Sequence, residues 1–104
     1  MFYIPEKRMI KSGYFIIIRE VEGYIEIISK NTRHCWIIKK IDSRKPIRLY
    51  HKHSITEMYY HKHGEFISVR KAIDEIKSHD LYCLSVCRNR DENVGGRSRY
   101  SDIC

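Results

Sequence analysis

The sequence predicts an α+β fold, an antiparallel β-sheet meander of about five strands packed against one amphipathic helix. Three observations carry this expectation. The apolar set is lopsided, with seventeen Ile against three Leu, one Ala and no Gln; β-branched side chains suit pleated strands, whereas a helical bundle of this size would lean on Leu and Ala. The apolar residues recur in short strand-like runs and switch to a clear helical period only once, after Ser68. The chain has 104 residues, enough for one core and too few for two. Residues 1–87 therefore read as a single small domain and 88–104 as a polar, flexible tail.

Tyr14–Val21 and Tyr24–Ser29 are two β-type runs separated by Glu22-Gly23, where glycine would supply the positive φ of a tight hairpin turn. A polar break, Lys30-Asn31-Thr32-Arg33, leads into a third strand over His34–Ile41. Asp42–Pro46 forms the next turn, because proline cannot sit inside a central strand. Ile47–His53 is a fourth strand, and Met58–Phe66, broken near Gly64, a fifth.

From Ser68 the period changes. Val69, Ala72, Ile73 and Ile76 stand at i, i+3, i+4 and i+7, the stripe of an amphipathic helix over about 68–79, and Ser68 is a good N-cap. Leu81–Val86 returns to a strand-like pattern, and from Cys87 onward the chain has almost nothing apolar to bury.

The longest unbroken apolar run, Tyr14–Ile18, is far below the roughly eighteen residues a membrane-spanning helix needs. The first residues lack the basic segment and apolar stretch of a secretory signal. A cytoplasmic protein is expected, with Cys35, Cys83, Cys87 and Cys104 as thiols. No Gly-rich phosphate loop, G-x-S-x-G elbow or suggestively spaced pair of carboxylates is present. Cys83-x₃-Cys87 carries no local catalytic signature, and His79 near a helix C-terminus complements the helix dipole. Neither an enzyme nor a cofactor is expected.

The net charge of +7 is not spread evenly. Residues 1–29 are neutral and 72–104 carry −1, while 30–71 hold eleven basic against three acidic side chains, net +8. Five of the six histidines lie in the same segment. Such an excess favours an anionic partner.

The tetrapeptide Tyr-His-Lys-His occurs at residues 50–53 and again at 60–63. If Ser54–Met58 form a hairpin loop, His51 faces His61 and the two copies lie on adjacent antiparallel strands. Period two then puts His51, His53, His61 and His63 on one face and Arg48, Tyr50, Lys52, Tyr60 and Lys62 on the other. The histidine face offers nitrogen donors at a spacing that permits a divalent metal. The bland account, imidazoles that pack or hydrogen-bond, is preferred, so no metal site is favoured. The opposite face interleaves cations with aromatics, a mixture that contacts phosphates while rings stack; a solvated sheet face would use the same residues.

Residues 36–82, with Trp-Ile-Ile-Lys-Lys, the two Tyr-His-Lys-His copies and Ser-Val-Arg-Lys-Ala-Ile-Asp-Glu-Ile-Lys-Ser-His-Asp-Leu-Tyr, resemble small accessory proteins of phages and prophages of low-GC Gram-positive bacteria. The resemblance implies a protein that binds and blocks a host defence complex or regulates DNA transactions, working in the host cytoplasm. The leading expectation is thus a non-enzymatic inhibitor of a host defence nuclease, of the anti-CRISPR kind. It would bind a host protein or nucleoprotein, or nucleic acid itself, through Arg48, Tyr50, Lys52, Tyr60 and Lys62. Lys39, Lys40, Arg44 and Lys45 would supply long-range attraction. No membrane partner is expected, and a homodimer is compatible with this reading. The alternatives are an autonomous DNA-binding protein using a basic three-stranded sheet face, and a metal protein built on the two His-Lys-His strands.

Overall fold

A computed structural model describes residues 2–92, with side chains placed up to Val86. Along the chain it has α1 (Ile4–Ile10), β1 (Phe15–Glu20), β2 (Tyr24–Ser29), β3 (Cys35–Lys40), β4 (Ile47–Lys52), β5 (His61–Phe66) and α2 (Val69–Glu92). The strands form one antiparallel meander in the order β1-β2-β3-β4-β5. The α+β class and the five strands are as the sequence predicts.

Alternation sorts the sheet into two faces. Ile25 and Ile27 of β2, Trp36 and Ile38 of β3, and Ile47 and Leu49 of β4 are buried on one face with Val69, Ala72, Ile73 and Ile76 of α2. This is the helical stripe expected from its spacing, and it is the core. At roughly 1.5–3 kcal/mol for each large aliphatic or aromatic side chain removed from water, this layer dominates the stability. Trp36 donates its indole N–H to the buried Ser29 Oγ at 3.1 Å, so the one polar atom of the largest core side chain is satisfied.

Four details differ from the sequence reading. A second, N-terminal helix is present, its start stabilised by Glu6, whose carboxylate accepts the Tyr3 backbone N–H at 2.8 Å, and by Pro5 in its first turn. It places Ile10 in the core. The β1–β2 hairpin forms where expected, but its reversal is shared by Val21, Glu22 and Gly23, closed by the Val21 N–H on the Tyr24 carbonyl at 3.0 Å. Among the described residues glycine takes a positive φ only at Gly13, in the turn after α1, and not at Gly23.

The third difference is that α2 does not stop at residue 79. It continues through Leu81–Val86, which the local pattern presents as a strand, and on to Glu92. Cys83 stands one turn beyond His79 and two beyond Ile76, and is buried like Ile76 and Asp80, whereas Leu81, Tyr82 and Leu84 face outward. Residues 88–92 of the expected tail thus belong to the helix, and 93–104 lie outside the described residues. The fourth is that β5 begins at His61, so Met58–Tyr60 belong to the connection, and the β4–β5 pairing carries a bulge between Leu49 and Tyr50. Among the described residues no helix is long and apolar enough to cross a membrane.

Candidate functional site

His51 and His61 are direct cross-strand partners, the register expected from the repeated tetrapeptide. The bulge keeps His63 on the same face as well, packed edge-on against Trp36 at 5.4 Å between ring centres. His34 enters from the β2–β3 turn and His79 from α2. All six histidines of the chain therefore gather at one end of the core. His51 is the hub, buried beneath α2 with its ring 4.1 Å from Trp36, 4.7 Å from His79 and 5.0 Å from both His34 and His53.

His34 Nδ1 and His51 Nε2 lie 3.0 Å apart, so one carries the proton and the other accepts it, which makes their tautomers complementary. Burial, then neighbouring imidazoles, push His34 down to about 4 and His51 to about 2; burial also lowers His79. These three rings are neutral near pH 7, with lone pairs in place of charges. At the rim, His63 Nε2 meets Glu75 Oε2 at 2.8 Å and His53 Nδ1 meets Glu57 Oε2 at 3.3 Å.

The turn that delivers His34 is clamped to α2. Asp80, fully buried, accepts the Tyr14 hydroxyl at 2.7 Å and the Thr32 hydroxyl at 3.0 Å, while Thr32 Oγ1 accepts the His34 backbone N–H at 3.2 Å. Ser29 and His34 close the turn through an N–H to carbonyl bond of 3.0 Å, with Arg33 in the left-handed region at φ 64°. A non-glycine residue there costs on the order of 1–2 kcal/mol. The Asp80 clamp offsets that strain.

Near this clamp His34, His79 and Cys83 each offer a donor atom within 4.8 Å of the others. The sequence reading names His51, His53, His61 and His63 as the metal candidates, and the fold brings these rings together; the compact donor set, however, is a different one. His79 and Cys83 stand at i and i+4, a spacing that puts both on one face only if α2 runs on past residue 79. Reading Leu81–Val86 as a strand hides that signal.

On the other face of the sheet, which no helix covers among the described residues, the expected anion-binding side chains are placed unevenly. Arg48 is bound to Glu65 through Nε at 3.2 Å and Nη2 at 3.1 Å, and its Nη1 donates to the Tyr50 hydroxyl at 3.3 Å. Lys62 pairs with the same carboxylate at 3.2 Å; Lys62 and Arg48 together hold the Glu65 carboxyl below its usual range. Lys52 is only 8% exposed, donates its Nζ to the Glu57 carbonyl at 2.9 Å and lies over the Tyr60 ring. Tyr60 itself donates to Glu26 at 2.6 Å, and burial with that bond raises its pKa well above the ordinary value. Lys40 points to the helical side, ion-paired with Glu6 at 2.8 Å and over the Tyr3 ring.

Lys39 and the turn residues Arg44 and Lys45 remain exposed at one end of the sheet. Tyr24, Ile37, Tyr50 and Tyr60 line a shallow groove beside Lys39. Compared with family models, with curated proteins and with solved structures, the chain matches none. The reading of function rests on this geometry.

Proposed function

We propose that this is a non-enzymatic binding protein that acts in the cytoplasm by docking the uncovered sheet face on an anionic protein or nucleoprotein. The kind of target in view is a host defence nuclease, such as small phage accessory proteins inhibit. The observation that carries the reading is the tyrosine-lined groove of Tyr24, Tyr50 and Tyr60 beside Lys39, at the end of the sheet where Arg44 and Lys45 project. Rigid aromatics flanked by mobile cations are the composition of protein-recognition surfaces.

The interleaved carboxylates favour a protein surface over bare DNA. Glu65 engages Arg48 and Lys62 together, and Glu26 accepts the Tyr60 hydroxyl. A phosphate backbone would have to compete with these two carboxylates for donors already engaged, whereas a mixed protein surface can offer partners to cations and carboxylates alike.

The test pairs two measurements. Duplex DNA at near-physiological salt is expected to show no shift, and a tight complex there would replace this reading with the autonomous DNA-binding one. A pull-down from bacterial lysate is expected to retain a target that elutes with salt and is lost with the Lys39→Glu, Arg44→Glu, Lys45→Glu variant. Equal retention by that variant overturns the assignment of the surface.

A further inference from the structure

The donor set at the middle of α2 does something that the docking reading neither requires nor uses. We propose that His34, His79 and Cys83 bind a divalent transition metal of the zinc class, and that the ion staples α2 to the β2–β3 turn.

Geometry carries the argument. His79 Nδ1 and Cys83 Sγ are 3.6 Å apart. Zinc bonds of about 2.0–2.1 Å to nitrogen and 2.3 Å to sulfur at a tetrahedral angle separate the two donors by about 3.6 Å. The pair sits on successive turns of one helix, so its spacing is set by the backbone before any ion arrives. The third donor, His34, comes from a distant element and lies with the other two inside 4.8 Å. Two nitrogens and one sulfur form a borderline-soft set that suits zinc or cobalt and not magnesium or calcium.

The surroundings match what a ligand shell needs. A ligating imidazole is normally oriented through its other nitrogen; His34 Nδ1 is engaged by His51 Nε2 at 3.0 Å, which leaves Nε2 as the nitrogen not already spent. The Asp80 clamp fixes the turn carrying His34, and its buried carboxylate adds negative charge beside a cation. On binding, the Cys83 thiol gives its proton to solvent and ligates as thiolate, leaving a net charge near +1 on the centre. Three protein ligands leave a fourth position for water or for a further imidazole. Besides His51, already spent on His34, the rings of His53 and His63 stand close by, 5.3 Å from His34 and 5.4 Å from His79 respectively.

The contrary account is a plain thiol–imidazole contact between neighbours on a helix. Titration of chelator-treated, tag-free protein with Co²⁺ separates the two. The expected result is saturation at one equivalent, with tetrahedral visible bands and a thiolate-to-cobalt charge-transfer band in the near ultraviolet. Zn²⁺ should displace it.

Cys83→Ser is expected to lose the charge-transfer band and weaken binding on the order of a hundred-fold or more, while substitution of the exposed His61 by Ala leaves the spectrum intact. Because Cys83→Ser could also disturb the packing of α2, circular dichroism of the variant accompanies the titration, and the wild-type spectrum decides by itself. No band at one equivalent, or a band of octahedral intensity without the thiolate transition, overturns the proposal. Neither result bears on the pull-down that tests the docking surface.

Discussion

Tyr14 and Asp80, 66 residues apart in sequence, are joined by a hydrogen bond of 2.7 Å from the phenol hydroxyl to the carboxylate. The bond ties the start of the sheet to the middle of α2. The other oxygen of the same carboxylate takes the Thr32 hydroxyl, so one buried anion holds three elements. Burial and the Asp80 hydrogen bond push the Tyr14 phenol up to about 12.

Asp80→Ala is therefore expected to leave two hydroxyls without their acceptor and to lower stability by about 2–3 kcal/mol, since hydrogen bonds to charged groups exceed neutral ones. Asp80→Asn keeps an acceptor and should cost roughly half as much. Urea denaturation of both variants checks this. Equal midpoints for Asp80→Ala and the wild type would mean that the clamp is not what holds the β2–β3 turn.

The histidine cluster makes the metal-free protein acid-sensitive. Folded His34 lies near 4 and His51 near 2, both below the ordinary 6.5. In the window between, the unfolded chain binds more protons than the folded one, so stability falls as pH falls. With chelator present, the melting temperature should be level from pH 8 to 7, then drop as the pH is lowered through about 6 toward 4. His51→Phe, which removes the buried base while filling its place against Trp36, should flatten the drop. A wild-type profile level down to pH 4 would contradict neutral burial of these rings.

Lys52 and Lys39 should behave oppositely. Lys52 is buried, spends its ammonium on the Glu57 carbonyl and holds it over the Tyr60 ring. Lys52→Ala is expected to cost about 1–2 kcal/mol through the lost bond and packing. Lys39→Glu on the exposed face should move stability by less than about 0.5 kcal/mol while altering the salt dependence of partner binding. Thermal melts of the two variants at equal salt distinguish them, and a neutral Lys52→Ala would return that residue to the docking surface.

Much of this arrangement is legible in the sequence, for local reasons. Ile-rich runs bounded by polar turns mark β1 to β3, alternation after Pro46 marks β4, and the second Tyr-His-Lys-His copy marks β5; the His51–His61 register follows from two identical tetrapeptides joined by a short loop. Val69, Ala72, Ile73 and Ile76 announce the start of α2 because one helical face must be apolar to be buried. The second half of α2 is not announced. Leu81, Tyr82 and Leu84 are exposed apolar residues that imitate a strand, and Cys83 alone is too small to mark a buried stripe. The short α1 is missed because about two turns of helix carry little periodic signal.

The charge was visible too, as +8 between residues 30 and 71. Its distribution in space was not. Sequence holds the count of lysines and arginines but not which carboxylate each one meets, and long flexible side chains are committed by neighbours brought from other strands. Lys40 is taken by Glu6 of α1, Arg48 and Lys62 share Glu65, and Lys52 lies over the Tyr60 ring.

What the sequence by itself determined is the order of the five strands, the start of α2 and the face to which the strand residues point, because those follow from backbone periodicity. Tertiary structure alone decided that His34, His79 and Cys83 meet. Donors from a turn and from a helix, 45 residues apart at their nearest in the chain, are brought within bonding range of one ion by how α2 lies across the sheet and by the Asp80 clamp. That is a property of packing, and no local pattern encodes it.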